Sequence, residues 1–203
     1  MKKTLLSLVA LFAFGVVTAQ EEPATAGYSN GDVFASGTIS FSSEKTGDFK
    51  TNQFTVSPKV GYFVSDNIAL GVSLSYISST EDTYDGNFGV YEQKTTGFEA
   101  GAFGRYYFMP ASRFSVFAQV YAGYATAKYE VEVYQMESKA NGFGFEFAPG
   151  FNYFVSDHFA IETTFGLLGY NSIKPDNAGA ESTDSFNIGL DLANINFGIV
   201  YKF

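Results

Sequence analysis

The chain contains no cysteine, no tryptophan and only one histidine, His158, among its 203 residues. Without cysteine, disulfides and thiolate metal sites are excluded. A single histidine excludes multi-histidine metal sites, and a nucleophilic site of the Ser-His type would have to use His158 itself. His158 follows Asp157 in a short predicted turn, where a polar turn residue is the simpler interpretation. We therefore expect no enzyme active site, no metal and no cofactor.

Positive charge and helical periodicity are also scarce. The chain has 12 Lys and Arg against 21 Asp and Glu, a formal net charge of -9, which argues against nucleic-acid binding. No stretch of ten or more residues shows a convincing helical period. What the chain does have is 23 Phe, 14 Tyr and 21 Gly, a composition that favours strands over helices.

The N-terminus reads as a targeting signal. Lys2 and Lys3 precede an apolar run over residues 5 to 17, and small residues follow up to Ala19. This pattern predicts a secretory signal peptide at residues 1–19 with cleavage after Ala19. The polar residues 20–30 are then expected to form a short periplasmic N-terminal segment.

From residue 31 to the end, apolar residues recur at every second position, which is the strand period. Eight such runs are present, starting at Val33, Phe54, Ile68, Phe98, Phe114, Phe143, Phe159 and Ile195. The connections at 65–67, 109–113 and 156–158 are short, whereas those at 43–50, 80–95, 128–139 and 171–185 are long. The alternation predicts an all-β, eight-stranded antiparallel up-and-down transmembrane β-barrel over residues 31–203 with four long extracellular loops and both termini in the periplasm.

An internal repeat supports this register. Pro58-x3-Tyr62-Phe63-Val64-Ser65-Asp66 recurs as Pro149-x3-Tyr153-Phe154-Val155-Ser156-Asp157. Because proline cannot donate to a strand ladder, we expect matching bulges at Pro58 and Pro149. The apolar phase changes again before the last strand, which predicts a further bulge near Ala193 and Asn194.

Charge placement indicates which face of the barrel is outside. The polar face is mostly Gly, Ser, Thr and Asn, with too few charges for a soluble barrel, so the apolar face is expected to meet lipid. Tyrosines near both strand ends predict two aromatic girdles: Tyr62, Tyr106, Tyr153 and Tyr201 at the turn side, and Tyr76, Tyr124, Tyr129 and Tyr170 at the loop side.

Isolated charges on the inward face form the candidate site. They are Lys59, Glu99, Arg105, Glu146 and Glu162. Two nearby carboxylates could perform acid-base chemistry, but charges in a narrow lumen are normally paired with one another. The sequence predicts a structural or gating ion-pair network that fills the lumen.

The sequence resembles the OmpA/OmpX-type small outer-membrane β-barrel family in its signal peptide, its eight alternating strands and its last seven residues, 197–203. The resemblance implies residence in a bacterial outer membrane. It also implies that Ile199, Tyr201 and Phe203 form the C-terminal signal read by the barrel-assembly machinery. Larger members of that family continue into a peptidoglycan-binding domain, for which no sequence follows Phe203, so no tether to the cell wall is expected.

Three functions fit this architecture. The first is a structural or surface-interaction role in which the barrel displays its loops to an extracellular protein. The second is a narrow channel or conduit for small molecules, apolar ones among them, suggested by the inward Phe63, Phe103 and Phe117. The third is a soluble, lipocalin-like carrier. The expected partners are outer-membrane lipid and lipopolysaccharide, the assembly machinery and an extracellular protein, with the barrel acting as a monomer and without nucleic acid.

Overall fold

A computed structural model describes residues 26–85, 89–177, 179–189 and 195–203. The predicted signal peptide, most of segment 20–30 and the bulge expected near residues 193–194 lie outside the described residues. The strands are β1 (Val33–Thr46), β2 (Phe49–Phe63), β3 (Ile68–Asp85), β4 (Gly89–Tyr107), β5 (Phe114–Val131), β6 (Met136–Phe154), β7 (Phe159–Phe165), β8 (Leu168–Pro175), β9 (Thr183–Ile188) and β10 (Ile195–Lys202). A single 3-10 turn, Glu132–Tyr134, joins β5 to β6 in the described part of the chain.

These segments form a closed barrel of eight strands. The first six strands pair antiparallel in chain order. Strands β7 and β8 both pair with β6 and are two segments of the seventh barrel strand, while β9 and β10 pair with β8 and β7 and form the eighth. Pairing of β10 with β1 closes the cylinder. The predicted eight-stranded antiparallel barrel is confirmed, and no helix in the described residues is long and apolar enough to cross a membrane.

The inward and outward faces follow the predicted alternation. Outward side chains such as Ile39, Val72 and Phe98 are 60–77% exposed, whereas the inward Phe34 and Phe63 are fully buried. The barrel therefore carries an apolar outer surface around a filled inner core, as expected of a barrel that stands in lipid.

One predicted girdle residue is on the wrong face. Tyr129 pairs with Ser138 and Thr95 and shares the inward register of Ala125 and Ala127, so it lines a small cavity at the loop side. Its neighbour Tyr124 faces outward as predicted and is 56% exposed. The period of a strand is two, so an odd separation from Tyr124 places Tyr129 on the opposite face.

The predicted long loops are largely strand. β1 and β2 pair up to Thr46 and Phe49, β3 and β4 pair up to Asp85 and Gly89, and β5 and β6 pair up to Val131 and Met136. The expected loops 43–50, 80–95 and 128–139 are thus hairpin ends. Their apolar alternation disappears because both faces are hydrated there, yet backbone pairing needs no apolar face. Of the four predicted long loops, the connection from β8 to β9, after Pro175, keeps the most non-strand residues in the described part of the chain.

The two repeat prolines behave differently. At Pro58 the ladder to β3 is interrupted between Val56 and Lys59, but the register is the same on both sides, so the bulge predicted there is wrong. Near Pro149, Gly150 of β6 pairs with Thr164, and Phe147 of β6 pairs with Leu168. Two residues therefore separate the paired positions in β6, whereas three separate them in the seventh barrel strand. The extra residue lies in the partner strand, at 165–167, and not in the strand that carries the proline.

Candidate functional site

An aromatic layer closes the turn-side end of the lumen. Each of its rings is at most 2% exposed: Tyr28, Phe34, Phe63, Tyr107, Phe117 and Phe154. Tyr28 lies at its centre, with ring centroids 4.6 Å from Phe63, 4.9 Å from Phe154 and 5.2 Å from Tyr107. Glycine makes room in the wall, because a side chain at Gly61 would overlap the ring of Phe34.

Tyr28 is carried by residues 26–32, here called the cap segment, which folds into the mouth of the barrel. The backbone N–H of Tyr28 donates to the Pro110 carbonyl at 2.7 Å, and Lys202 Nζ donates to the Gly27 carbonyl at 2.7 Å. Gly27 has φ +109°, and a Cβ there would lie 2.6 Å from the Ala111 carbonyl carbon. Residues 26–30, the described end of the predicted segment 20–30, therefore belong to the core that fills the turn-side lumen. In the sequence, Tyr28 is the one aromatic residue among residues 20–30, and this feature could have indicated that the segment packs into the barrel.

Directly above this layer, Arg105 and Glu162 form a bidentate contact, here called the lumen ion pair. The guanidinium Nη1 and Nη2 donate to the two Glu162 carboxylate oxygens at 2.6 and 2.8 Å. Arg105 Nε donates to Gln119 Oε1 at 2.8 Å, and the guanidinium stands 4.4 Å from the Phe117 ring centroid. Arg105 is 1% exposed and Glu162 5%, so both charges are removed from water. Such a desolvated pair holds together only with good geometry and further hydrogen bonds, as found here.

The other three predicted lumen charges also lie on the inward face, but they do not join this pair. Glu99 accepts a hydrogen bond from the Tyr121 hydroxyl at 2.6 Å. Lys59 interacts electrostatically with Glu99 and Glu146, without an ion pair closer than 4.0 Å to either in the described part of the chain. Glu146 is exposed to the lumen. The five predicted residues thus form a tight pair and a looser layer above it.

That looser layer is the floor of an open chamber, here called the vestibule, with a volume of about 570 Å³. Its lining combines inward polar side chains with glycines and one leucine: Glu99, Tyr121, Glu146, Asn171 and Asn187, then Gly144, Gly166, Gly169 and Gly189, then Leu167. Phe145, Leu168 and Ile188 border the chamber from strand positions whose side chains lie on the outer face. A Cβ at Gly144 or Gly169 would lie 2.5 Å from Oδ1 of Asn171 or Asn187, so the glycines let both amides lie flat against the wall.

The C-terminal strand closes the barrel. Ile199 pairs with Gly37 on one side and Ile161 on the other and is 66% exposed on the outer face. The Tyr201 ring contacts those of Phe159 and Phe203, each at a centroid distance of 5.0 Å. His158, the one histidine, holds this end through its Nδ1 and the Lys202 carbonyl, 2.8 Å apart. This contact is typical of a structural turn residue.

At the opposite end, charged side chains surround the tip of the β5–β6 hairpin. Lys128 Nζ lies 2.9 Å from carboxylate oxygens of both Glu130 and Glu137, and Lys139 lies 3.2 Å from Glu137. Hydrogen bonds from Lys128 and Lys139 lower the pKa of the Glu137 carboxyl. All of these side chains are exposed, so the cluster adds little to stability. No group of three or more potential metal ligands occurs in the described residues.

Solved structures share this fold. The outer membrane protein OprG from Pseudomonas aeruginosa aligns with a TM-score of 0.57 at 16% identity, over 88% of this chain and 99% of that one. The Escherichia coli outer membrane protein W aligns with a TM-score of 0.50 at 14% identity, over 87% and 100%. At these identities the likeness shows the fold alone. The chain matches no curated protein sequence at a significant level.

The family is shown by sequence. The apolar outer face, the filled lumen and the closure of the first strand on the last describe a barrel that stands in a membrane. The model of the outer membrane protein β-barrel domain matches residues 6–203, nearly the whole chain, and this chain belongs to that family.

Proposed function

We propose that this barrel is a closed outer-membrane scaffold that displays strand hairpins on the cell surface for interaction with an extracellular partner. The observation that carries the proposal is the sealed turn-side lumen, where the cap segment, the aromatic layer and the lumen ion pair lie in series. The buried ion pair lies above these packed rings, and together they support a turn-side half that is closed to water. The proposal assigns no catalytic role to any residue.

The hairpins supply the displayed surface. Strands β3 to β6 have 18, 19, 18 and 19 residues, whereas about 9–11 tilted residues cross the hydrocarbon layer. The excess lies at the loop side, so the β3–β4 and β5–β6 hairpins extend well beyond the lipid. Their tips carry mainly acidic side chains, including Glu81, Glu92 and Glu132. A partner with a basic surface fits this charge.

The remaining assignments belong to this proposal. The loop side faces the medium and both termini face the periplasm of a bacterium. The outer face contacts lipid and lipopolysaccharide, the barrel acts as a monomer, and Ile199, Tyr201 and Phe203 are read by the barrel-assembly machinery during insertion. The outward position of Ile199 and Tyr201 supports the last assignment.

Planar-bilayer recording tests the sealed lumen. The wild-type protein is expected to show no steady conductance, because the desolvated ion pair and aromatic layer block the turn-side half. A matched variant replaces residues 81–93 with an Asn-Gly turn and shortens one hairpin without touching the lumen. This variant is expected to insert, to keep its heat-modifiable migration in detergent gels and to stay closed. A large, steady conductance of the wild-type protein would contradict the proposal of a closed barrel.

A conduit with a side exit is the second candidate, and one observation favours it. Among the described residues, the loop-side part of β1, from Thr38 to Thr46, pairs only with β2, and β9 pairs only with β8. The outer residues along these two edges are apolar, with Ile39 and Ile188 more than 70% exposed. A small apolar molecule that entered the vestibule from the medium could leave sideways into lipid.

Uptake of an apolar dye, N-phenylnaphthylamine, tests this route in cells that express the barrel. If the conduit operates, Gly144→Phe fills the vestibule and lowers the uptake rate several-fold. The control Gly104→Phe places the same ring on the outer face, where a Cβ meets Leu70 and Val120 at ordinary distances of 3.5 and 3.7 Å. Equal uptake by wild type and both variants would eliminate the conduit.

A further inference from the structure

The vestibule has the features of a ligand site. It is a concave chamber of about 570 Å³ above the turn-side core, and polar side chains from five different strands converge on it. A smaller cavity of about 120 Å³ shares Glu99, Gly144 and Asn171 with it and continues upward between glycine and alanine residues. Chambers of this size with a few convergent polar groups are typical of small-molecule sites.

The charges of the lining favour a cation. Glu99 and Glu146 are the charged side chains of the vestibule lining, and both are acidic. Lys59 approaches from below without pairing directly with either carboxylate in the described residues, and the lumen ion pair beneath is neutral as a unit. Two carboxylates thus face one ammonium group, which leaves the chamber with an uncompensated negative charge.

The loop-side hairpins extend this negative potential outward. A surface cavity between β4 and the β5–β6 connection is lined by Glu92, Glu130, Glu132 and Glu137 together with Lys94. Lys128 and Lys139 pair with Glu130 and Glu137, which leaves Glu92 and Glu132 against Lys94. Clefts lined by one sign of charge attract ions of the opposite sign. A cation that approaches from the loop side therefore meets acidic groups first at the hairpins and then in the vestibule.

The remaining lining distinguishes an organic cation from a metal ion. The chamber is much larger than a single ion, and no described group of three potential metal ligands occurs in it. Asn171 and Asn187 offer side-chain amides that can donate or accept, held flat by Gly144 and Gly169. Leu167, in the bulge between β7 and β8, adds an apolar group to the lining. This combination suits a primary ammonium group with a short alkyl portion.

We propose that the vestibule binds a small organic ammonium ion, with Glu146 and Glu99 as its charge partners, Asn171 and Asn187 as hydrogen-bonding groups, and Leu167 against the alkyl portion. Glu146 is the principal partner because its carboxylate is free of hydrogen bonds from the described side chains, whereas Glu99 already accepts one from Tyr121. The site is separate from the displayed hairpins and requires no exit from the chamber.

Amide NMR shifts of Gly144 and Gly169 in neutral maltoside micelles test this site. The probes are n-butylammonium, n-butyrate and n-butanol, titrated at constant ionic strength. We expect saturable shifts with n-butylammonium and none with n-butyrate. Glu146→Gln is expected to weaken binding about tenfold, the scale of one hydrogen bond to a charged group. Lys59→Met is expected to strengthen it, because the competing ammonium is removed.

Two comparisons make the outcome decisive. Glu137→Gln removes an equal charge at the hairpin tip and is expected to leave the affinity within about twofold, since exposed charges at that range are screened. Heat-modifiable migration confirms that each variant is folded. Equal shifts with n-butanol and n-butylammonium, or unchanged affinity in both Glu146→Gln and Lys59→Met, would overturn the proposal. If Glu146→Gln does not fold, Lys59→Met and the n-butyrate comparison still decide it.

Discussion

Replacing Glu162 with alanine is expected to lower the free energy of unfolding by about 3–5 kcal/mol, because it leaves the Arg105 guanidinium buried without its counter-charge. The expectation rests on the bidentate contact at 2.6 and 2.8 Å and on the burial of both partners. Gln119 and the Tyr107 hydroxyl remain as acceptors, but neither carries a compensating charge. Urea titration of the barrel in lipid vesicles measures the loss.

The double variant Arg105→Met with Glu162→Met is the matched control. It removes both charges and keeps most of the volume, and replacement of a buried pair by apolar groups is often neutral or stabilising. We expect it to be more stable than Glu162→Ala alone. If the double variant lost as much stability as the single one, the cost would come from packing and not from an unpaired charge.

The second large effect is expected at Gly71, whose substitution by alanine should destabilise the barrel by about 1–3 kcal/mol through overpacking. A Cβ at this position would overlap the Val60 carbonyl oxygen and would lie 2.7 Å from Cε1 of the Phe103 ring. The carbonyl belongs to the neighbouring strand and cannot move without disturbing the ladder. Phe103 is itself 4% exposed, and its ring centroid lies 5.0 Å from the Arg105 guanidinium.

Gly104→Ala is the control for this effect, because Gly104 lies on the outer face of the neighbouring strand. Its new Cβ would meet Leu70 and Val120 at ordinary van der Waals distances, so we expect a change within about 0.5 kcal/mol. Unfolding midpoints in the same vesicles compare the two variants directly. Equal losses would mean that glycine is needed for strand conformation and not for room in the lumen.

The positions of the inward charges were predictable, but their pairing was not. Alternation alone places Lys59, Glu99, Arg105, Glu146 and Glu162 on the inner face, because successive side chains of a strand point to opposite faces. It does not give the height of a side chain or its reach across the lumen. Arg105 and Glu162 are 57 residues apart, on strands that are not neighbours, and they meet because the barrel closes.

In the loop-side half of the barrel, hydrophobic periodicity does not predict the strands. The sequence pattern marks a strand only where one face is apolar and the other is not. Beyond the lipid both faces are polar, so residues 80–85 and 89–95 look like a loop although every one of them pairs across the hairpin. The bulge opposite Pro149 was not predictable either, because it lies in the partner strand, at residues 165–167, where no proline marks it.

The strict alternation, the alternating connection lengths and the sparse charge of the polar face determined the architecture by themselves: eight strands, three short turns and an apolar outer face. This is possible because a strand's period and its exposure are local properties that each segment carries in its own residues. Only the tertiary structure decided that Tyr28 enters the lumen, that Arg105 pairs with Glu162, and that an open acidic chamber lies above a sealed floor. These contacts join residues distant in the chain, and their partners are defined only when the cylinder closes.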